Sequence, residues 1–176
     1  MARTVGLVGQ SLHEIADYHN DVVDSLTVFL QPSRQQDSPR FLGYSLAEFH
    51  EFLLGRIEET DLRSSLAILA AVEAALRIDY LLRATKRGKD PLSKAFRTIY
   101  REKQENARFD EDLLDLWGQY YPELKRIIGE LRAALHFRHW LAHGRYWERP
   151  THGRFDYFSV YNLADILLES FPLFRN

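Results

Sequence analysis

The sequence of 176 residues contains no cysteine and a single methionine. Without thiols the chain has no disulfide bonds, no cysteine-ligated zinc or iron–sulfur cluster and no cysteine nucleophile. The lack of cysteine fits the reducing cytoplasm, where we expect the protein to act. The longest uninterrupted apolar run, residues 66–72, is far shorter than the roughly 20 residues of a transmembrane helix. The N-terminus also lacks the pattern of a cleaved signal peptide, so neither a membrane partner nor export is expected.

The sequence also lacks a dominant charge. It has 23 Lys and Arg against 25 Asp and Glu, a formal net charge of −2, which excludes a broad basic surface for non-specific nucleic-acid binding. The charges are nevertheless unevenly distributed, since residues 131–155 contain five arginines and one acid, Glu148. That segment also holds four of the seven histidines together with two tryptophans and a tyrosine: His136, His139, His143, His152, Trp140, Trp147 and Tyr146. We therefore expect any functional chemistry to lie there.

Apolar residues recur at intervals of three and four along most of the chain, which predicts an all-α fold. A first helix is predicted within residues 5–30. Ser45 and Glu48 form a capping-box sequence, so a short helix should start at about residue 46. Thr60 or Asp61 is predicted to cap the next segment, a long central helix that runs to about residue 85.

The second half of the chain continues the helical pattern. Asp90 and Pro91 are predicted to open a helix, and a short helix is expected over residues 110–120. A further helix should begin at Pro122 and end at Gly144. Residues 145–158 then predict a small hairpin or an ordered loop, followed by a last helix over residues 159–171. The expected architecture is a single domain over residues 1–176, an antiparallel helical bundle.

Two charged residues fall on predicted apolar seams. In the helix that follows Pro122, the seam Leu124, Ile128, Leu131 and Leu135 continues to Arg138. In the central helix Glu73 lies among alanines and leucines. An unpaired buried charge costs several kcal/mol, so Arg138 should have a partner or face a cleft. Glu73 is predicted to pair either with Arg138, across two packed helices, or with Arg77 four residues further on.

Arg138 also begins a recognisable motif. It is followed directly by the polar residue His139, then by His143 after four intervening residues, and Gly144 closes the helix. This pattern resembles the HEPN superfamily, in which an arginine, four to six residues and a histidine form the defining motif and a polar residue follows the arginine. The resemblance covers about ten residues, and the helical context of the whole chain agrees with it.

The resemblance implies an endoribonuclease that needs neither metal nor cofactor and acts as a homodimer on RNA. Such proteins include toxins and phage-defence effectors, for which an antitoxin or other regulatory protein is the expected partner. In the implied reaction the RNA 2′-hydroxyl attacks its own phosphate. His143 would serve as general acid and base and Arg138 as the phosphate clamp, because histidine titrates near neutrality and arginine stays charged.

The geometry of one helix separates these two residues by about 7.5 Å along the axis and about 140° around it. They therefore do not share a face, and the implied homodimer would bring two Arg–His sets to one cleft. His139 is predicted either to polarise this cleft or contact the ribose, or to be an exposed polar residue without a role.

Arg145, Trp147, Arg149 and Arg154 mix cations with an aromatic ring, and Glu73 and Tyr146 are predicted to support the site they form. This combination of charged groups with aromatic rings is how proteins hold single-stranded RNA. The alternative for the aromatic residues is packing in the core or at the dimer interface. In one HEPN branch an antitoxin modifies a tyrosine two residues after the histidine. Tyr146 lies one residue further, which departs from that pattern.

Other chemistries have little support. His136, His139 and His143 lie near one helical face, but metal ligands must converge rather than line up, so no metal is expected. The sequence has no nucleophile-elbow, P-loop or dinucleotide-binding motif. His13, His19 and His50 are predicted to be solvated. Two alternative functions remain, a catalytically inactive HEPN-like dimer that binds RNA, a nucleotide or a protein, and a structural helical dimer with Glu73 and Arg138 as an internal pair.

Overall fold

The computed structural model describes residues 10–31, 38–86, 88–148 and 155–174, which form six α-helices and no strand. The helices are α1 (Leu12–Phe29), α2 (Leu46–Thr85), α3 (Pro91–Lys103), α4 (Asp115–Tyr120), α5 (Lys125–Ala142) and α6 (Tyr157–Ser170). Short 3₁₀ turns at Pro39–Phe41, Gln104–Asn106 and Pro122–Leu124 and a π turn at Phe109–Leu114 complete the described elements. The all-α prediction is confirmed. Within these ranges no helix is long and apolar enough to cross a bilayer.

Helix α1 begins at a capping box. Ser11 caps the helix, with its Oγ accepting the Glu14 N–H at 3.2 Å, and the Glu14 carboxylate accepts the Ser11 N–H at 2.8 Å. This reciprocal capping box fixes the first helical residue at Leu12. The helix lies within the predicted range of residues 5–30, and residues 1–9 lie outside the described part of the chain.

Helix α2 is one continuous helix of 40 residues, about 60 Å long. The predicted capping box of Ser45 and Glu48 is confirmed, but the predicted boundary at Thr60 or Asp61 is wrong. No proline lies between residues 46 and 85, and Thr60 does not cap a helix. Its hydroxyl donates to the carbonyl of Arg56 at 2.9 Å, one turn back, so the polar side chain is satisfied inside the helix.

The bundle is built around α2, which packs against α1, α3, α5 and α6, while α4 packs against α3. The largest fully buried side chains come from α2 to α6 and the π turn: Trp117, Tyr80, Phe96, Phe137, Ile68, Leu69, Leu76, Leu92, Leu113, Leu114, Leu131 and Leu167. Each such side chain contributes about 1.5–3 kcal/mol on burial, so this cluster supplies the main driving force for folding. A second, smaller cluster of Leu30, Phe41 and Phe49 lies beside the N-terminal half of α2.

The C-terminal end of α2 is held by a buried ion pair. The Arg83 Nε–H donates to both carboxylate oxygens of Asp79 at 2.8 and 2.9 Å, and its Nη2 donates to the Pro172 carbonyl at 2.5 Å. Asp79 also accepts the Phe174 N–H at 2.6 Å. Burial raises the pKa of Asp79, against the effect of these hydrogen bonds and of the Arg83 charge. The pair thus fastens the segment after α6 to the end of α2.

One predicted helix start is confirmed, and two others differ in their first turn. Asp90 caps α3 with Pro91 at its first position, as predicted. Pro122, however, opens a 3₁₀ turn, and the α-helix proper begins at Lys125. The short helix predicted over residues 110–120 starts as the π turn at Phe109–Leu114 before it becomes α4.

For the segment between α5 and α6 the sequence predicted either a small hairpin or an ordered loop, and the described residues of this segment contain no strand. Tyr157 and Phe158 already belong to α6. Asp156 caps that helix in a capping box with Ser159, so α6 begins two residues before the predicted start at 159. The turn residues of the predicted hairpin, 149–154, lie outside the described residues.

Candidate functional site

Arg138 lies near the C-terminal end of α5, where this helix packs against α2. Its Nη2 lies 3.2 Å from Oε2 of Glu73, and the two side chains are 38% and 17% exposed. Glu73 also accepts a hydrogen bond from the Nε–H of Arg77 at 2.8 Å. Both predicted partners of Glu73 are thus present together, and Arg138 has the partner that its position on an apolar seam required.

The Arg138 guanidinium is incompletely satisfied. Its Nε is buried and has no hydrogen-bond partner among the residues that the structure describes. A buried unsatisfied donor costs about 1–3 kcal/mol, so an arginine placed only for stability would be expected to use it. The half-exposed remainder of the group faces outward and is accessible to a ligand.

His139 and His143 form an exposed pair of imidazole rings. Their ring centroids are 4.1 Å apart, as expected for residues four apart on a helix. His143 is the last residue before the chain leaves the helix, and its N–H donates to the His139 carbonyl at 3.1 Å. His136 is also exposed on α5. Within the described ranges no group of three histidine, aspartate or glutamate side chains is arranged to hold a metal ion.

Gly144 ends α5 as predicted, with φ of +83°, and the next residue, Arg145, also has a positive φ of +57°. The Arg145 N–H donates to the Trp140 carbonyl at 3.2 Å, the bond of a Schellman-type helix end. The Arg145 guanidinium binds both carboxylate oxygens of Glu59 at 2.6 and 3.3 Å. Hydrogen bonds from Arg145 and Arg63 lower the pKa of Glu59. Arg145 therefore fastens this turn to α2, and its charge is already compensated.

Tyr146 and Trp147 extend the exposed rings beyond the turn. Tyr146 is 83% exposed and meets the Trp147 ring edge-on at 4.4 Å between centroids. The His139 ring lies 5.8 Å from that of Trp147. Trp147 is half-buried, and its carbonyl accepts the indole N–H of Trp140 at 2.8 Å. Arg149 and Arg154, the remaining predicted RNA-binding residues, lie outside the described residues.

The structure therefore separates two groups of predicted site residues. One is the ion pair of Arg138 with Glu73, and the other is the ring cluster, defined here as His139, His143, Tyr146 and Trp147. In the described part of the chain Arg138 and His143 are not joined by a hydrogen bond or an ion pair. This separation agrees with the angle of about 140° between two residues five apart on one helix. The ring cluster offers proton donors and acceptors beside stacking surfaces, and Arg138 offers a fixed cation.

His19 departs from the sequence prediction. His13 and His50 are exposed as predicted, but His19 is buried. Its ring stacks on Tyr157 at 3.7 Å between centroids, with Nδ1 3.1 Å from the Ser64 hydroxyl and Nε2 3.5 Å from an Asp61 oxygen. Burial lowers the pKa of His19, an effect that the Asp61 carboxylate opposes. The signal in the sequence was its spacing of four from Ile15 on the apolar seam of α1.

The serine, histidine and carboxylate around His19 resemble a hydrolytic triad only in composition. Ser64 lies in the middle of α2, where backbone N–H groups are bonded within the helix and are not free to stabilise an oxyanion. The group joins α1, α2 and α6, with Tyr157 as the contribution of α6. We interpret it as a structural contact between three helices.

The described cavities lie away from the motif. One of about 530 Å³ opens between α1, α2 and α6, next to Asp79 and Tyr161. Another of about 310 Å³ lies between α1 and α2 and reaches Ser64. Neither of these two cavities is lined by a predicted site residue, and the described residues of the ring cluster and Arg138 are partly or fully exposed.

The comparisons with known proteins gave no match, whether with a protein-family model, a curated protein or a solved structure. The all-α architecture is observed, whereas the HEPN resemblance stays a prediction that rests on residues 138–143 and their helical context.

Proposed function

We propose that this protein is a metal-independent endoribonuclease of the HEPN type that cuts RNA at a site shared by two copies of the chain. The observation that carries the proposal is the state of Arg138, a half-exposed arginine with a buried unsatisfied Nε–H at the start of the Arg–His motif. An exposed histidine pair lies at the end of the same helix. A cation and a titratable ring are the two groups that cleavage by the RNA 2′-hydroxyl requires.

Each residue then has a defined task. His143 takes the proton from the 2′-hydroxyl or delivers one to the leaving 5′-oxygen. Arg138 binds the non-bridging phosphate oxygens as their charge develops. His139 and Trp147 contact the ribose or a base beside His143. Glu73 holds Arg138 in place until RNA competes for the guanidinium.

The separation of Arg138 from His143 within one chain supports a composite site. A second copy could place its own ring cluster against the Arg138 of the first, as in the family that the motif resembles. Such an RNase is expected to serve as a toxin or a phage-defence effector, with an antitoxin or other regulatory protein as partner.

The first experiment measures RNA cleavage in EDTA. Wild-type protein should yield products with 2′,3′-cyclic phosphate ends, and Arg138→Ala and His143→Ala should each reduce the rate by about 10²–10³. His136→Ala and Arg126→Ala are the matched controls, because both residues are exposed on α5 and lie outside the motif. Cleavage that persists in His143→Ala would contradict the assigned chemistry.

A second experiment tests the composite site. Arg138→Ala and His143→Ala proteins should each be inactive alone. In a mixed dimer, however, one of the two sites combines the intact Arg138 of the His143→Ala chain with the intact His143 of the Arg138→Ala chain. Mixing the two variants should therefore restore part of the activity. Failure to restore activity, in samples shown by mass to contain the mixed dimer, would contradict a site shared between chains.

One observation favours the second candidate, a catalytically inactive dimer that binds RNA, a nucleotide or a protein. Glu73 lies 3.2 Å from Arg138 and so competes with a phosphate for the guanidinium. Tight RNA binding without any cleavage by the wild-type protein would support this candidate over the nuclease.

A further inference from the structure

Helix α3 carries a row of cations on one face. Lys94, Arg97 and Arg101 are spaced three and four residues apart, so they follow one another along the same side of the helix. Lys94 and Arg101 are exposed, and Arg97 is half-buried. Lys89, exposed just before the helix, extends the row at its N-terminal end. We call these four residues the cationic row.

The row lacks the neighbouring acids that neutralise several other surface cations. Arg63 is paired with Glu59, Arg126 with Glu130 and Lys103 with Asp112. Within the described residues, by contrast, no carboxylate lies within 4 Å of a cationic group of the row.

The local composition explains this excess of positive charge. Residues 83–103 contain eight Lys and Arg but only two acids, Asp90 and Glu102. Asp90 is engaged at the start of α3, where it accepts hydrogen bonds from Ser93 and Arg83. The N-terminal end of α3 adds the positive end of the helix dipole to the same region. Lys89 and Lys94 therefore lie near the positive end of the helix dipole, which is unfavourable for cations, and no carboxylate among the described residues compensates their charge. A bound anion would relieve this repulsion.

We propose that the cationic row binds the phosphate backbone of single-stranded RNA and guides it to the cleavage site. The inference rests on the proposed function for the identity of the polyanion. Along the axis of α3 the three helical cations are about 4.5 and 6 Å apart, which forms a linear array of charges for a linear polyanion. Arginine and lysine are the side chains that bind phosphate most strongly.

The apolar side of α3 argues against a lipid surface as the partner. An interfacial helix inserts apolar side chains into the membrane. In α3 those side chains are committed to the core, since Leu92 and Phe96 are buried and Phe96 packs edge-on against Tyr80. No large apolar side chain is exposed in the described part of residues 86–106. The row thus offers charge without an inserting surface.

The segment that follows the C-terminal end of α3 lies next to the candidate site. The chain that leaves α3 passes Ala107, whose carbonyl accepts a hydrogen bond from Arg77 Nη1 at 3.2 Å. Arg77 donates to Glu73, and Glu73 binds Arg138. RNA lying on α3 would therefore leave it next to the Glu73–Arg138 pair.

The test measures binding of a fluorescent single-stranded RNA with 2′-O-methyl groups, which cannot be cut because its attacking hydroxyls are blocked. The variant Lys89→Gln/Lys94→Gln/Arg101→Gln removes three cations and leaves Arg97, which donates to the Gly88 carbonyl at 2.8 Å. The control Arg56→Gln/Lys125→Gln/Arg126→Gln removes three exposed cations elsewhere on α2 and α5. Both variants change the net charge equally.

The row variant should bind the RNA about tenfold more weakly or worse at 0.15 M salt, with a slope of log affinity against log salt reduced by about 2. The control should stay close to wild type in both quantities. Equal behaviour of the two variants would overturn the inference. Binding of wild type to phosphatidylglycerol vesicles but not to RNA, lost in the row variant, would also overturn it in favour of a lipid partner.

Cleavage assays separate this inference from the proposed function. If wild-type protein cuts RNA and the row variant binds and cuts like the control, the row is not the docking surface and the nuclease assignment stands. If wild-type protein binds RNA through the row but never cuts it, the nuclease assignment fails and the row stands.

Discussion

Two carboxylates of α2, Glu73 and Asp79, each bind an arginine, and the two pairs differ in how fully the arginine is used. The Arg83 guanidinium is buried and bonds to Asp79, Asp90 and the Pro172 carbonyl. The Arg138 guanidinium is half-exposed, touches Glu73 at 3.2 Å and leaves its buried Nε without a partner in the described structure. The two carboxylates lie six residues apart on one helix. Their arginine partners differ, because the Arg83 guanidinium is extensively hydrogen-bonded and that of Arg138 is not.

The contrast indicates which arginine holds the fold together and which is available to a ligand. A buried pair is costly to break, because the remaining charge is left without a partner in a low dielectric. A half-exposed and incompletely bonded pair contributes little to stability, because water screens it. The histidines follow the same division, with His19 enclosed between three helices and His139 and His143 at the surface.

The largest effect is expected for Arg83→Met. Removing this guanidinium leaves the Asp79 carboxylate buried, with only the Phe174 N–H as a hydrogen-bond donor among the contacts described. The free energy of unfolding should fall by about 3–5 kcal/mol, as measured by urea denaturation. Arg126→Met, at an exposed pair, is the control. A loss below about 1 kcal/mol would remove the distinction between the two arginines.

Gly144→Ala tests the turn that carries the ring cluster. With φ at +83°, an alanine there should cost about 1–2 kcal/mol of unfolding free energy. Gly129→Ala is the matched control, since Gly129 lies inside α5 and has open space around its Cα. That control should raise stability by about 0.5–1 kcal/mol. If both substitutions stabilise the protein, the left-handed end of α5 is not required.

His19 should make the stability of the protein depend on pH. Because burial lowers the pKa of His19 in the folded state, the unfolded chain binds the proton first. Stability is therefore intact above about pH 6.5 and falls as the pH drops below it, by at most about 1.4 kcal/mol per pH unit. Urea midpoints of wild type and His19→Gln between pH 5 and 7.5 measure this difference.

The neighbouring carboxyl acts in the opposite direction. Burial raises the pKa of Asp61, so its contribution to stability declines as the pH rises above its ordinary value of 3.8. The comparison with His19→Gln isolates the histidine, since Asp61 is present in both proteins. Parallel urea curves for the two proteins across this pH range would show that His19 is not enclosed as described.

The smallest effect on stability is expected for Arg138→Met. The substitution removes a buried unsatisfied donor, and Glu73 keeps Arg77 as its partner. The free energy of unfolding should change by less than about 1 kcal/mol, while RNA cleavage should be lost. A loss of 3 kcal/mol or more would show that Arg138 is a structural residue like Arg83.

Local sequence signals predicted helix ends correctly where the sequence contained a capping box, a cap followed by proline, or a C-terminal glycine. Ser45 with Glu48, Asp90 with Pro91 and Gly144 each mark the predicted boundary. The same reasoning failed at Thr60, whose hydroxyl bonds within α2, because a capping residue inside a stable helix does not end it.

The sequence by itself determined the all-α class and the anomaly of an arginine on an apolar seam, because both follow from the spacing of apolar residues along a helix. Only the tertiary structure decided which partners that arginine has, since Glu73 and Arg138 are 65 residues apart and meet only when α2 packs against α5. It also decided that His19 is buried and that the segment after α3 meets α2 through the hydrogen bond from Arg77 to the Ala107 carbonyl. Burial and ion pairing between distant residues depend on how helices pack, and periodicity along one helix does not specify that packing.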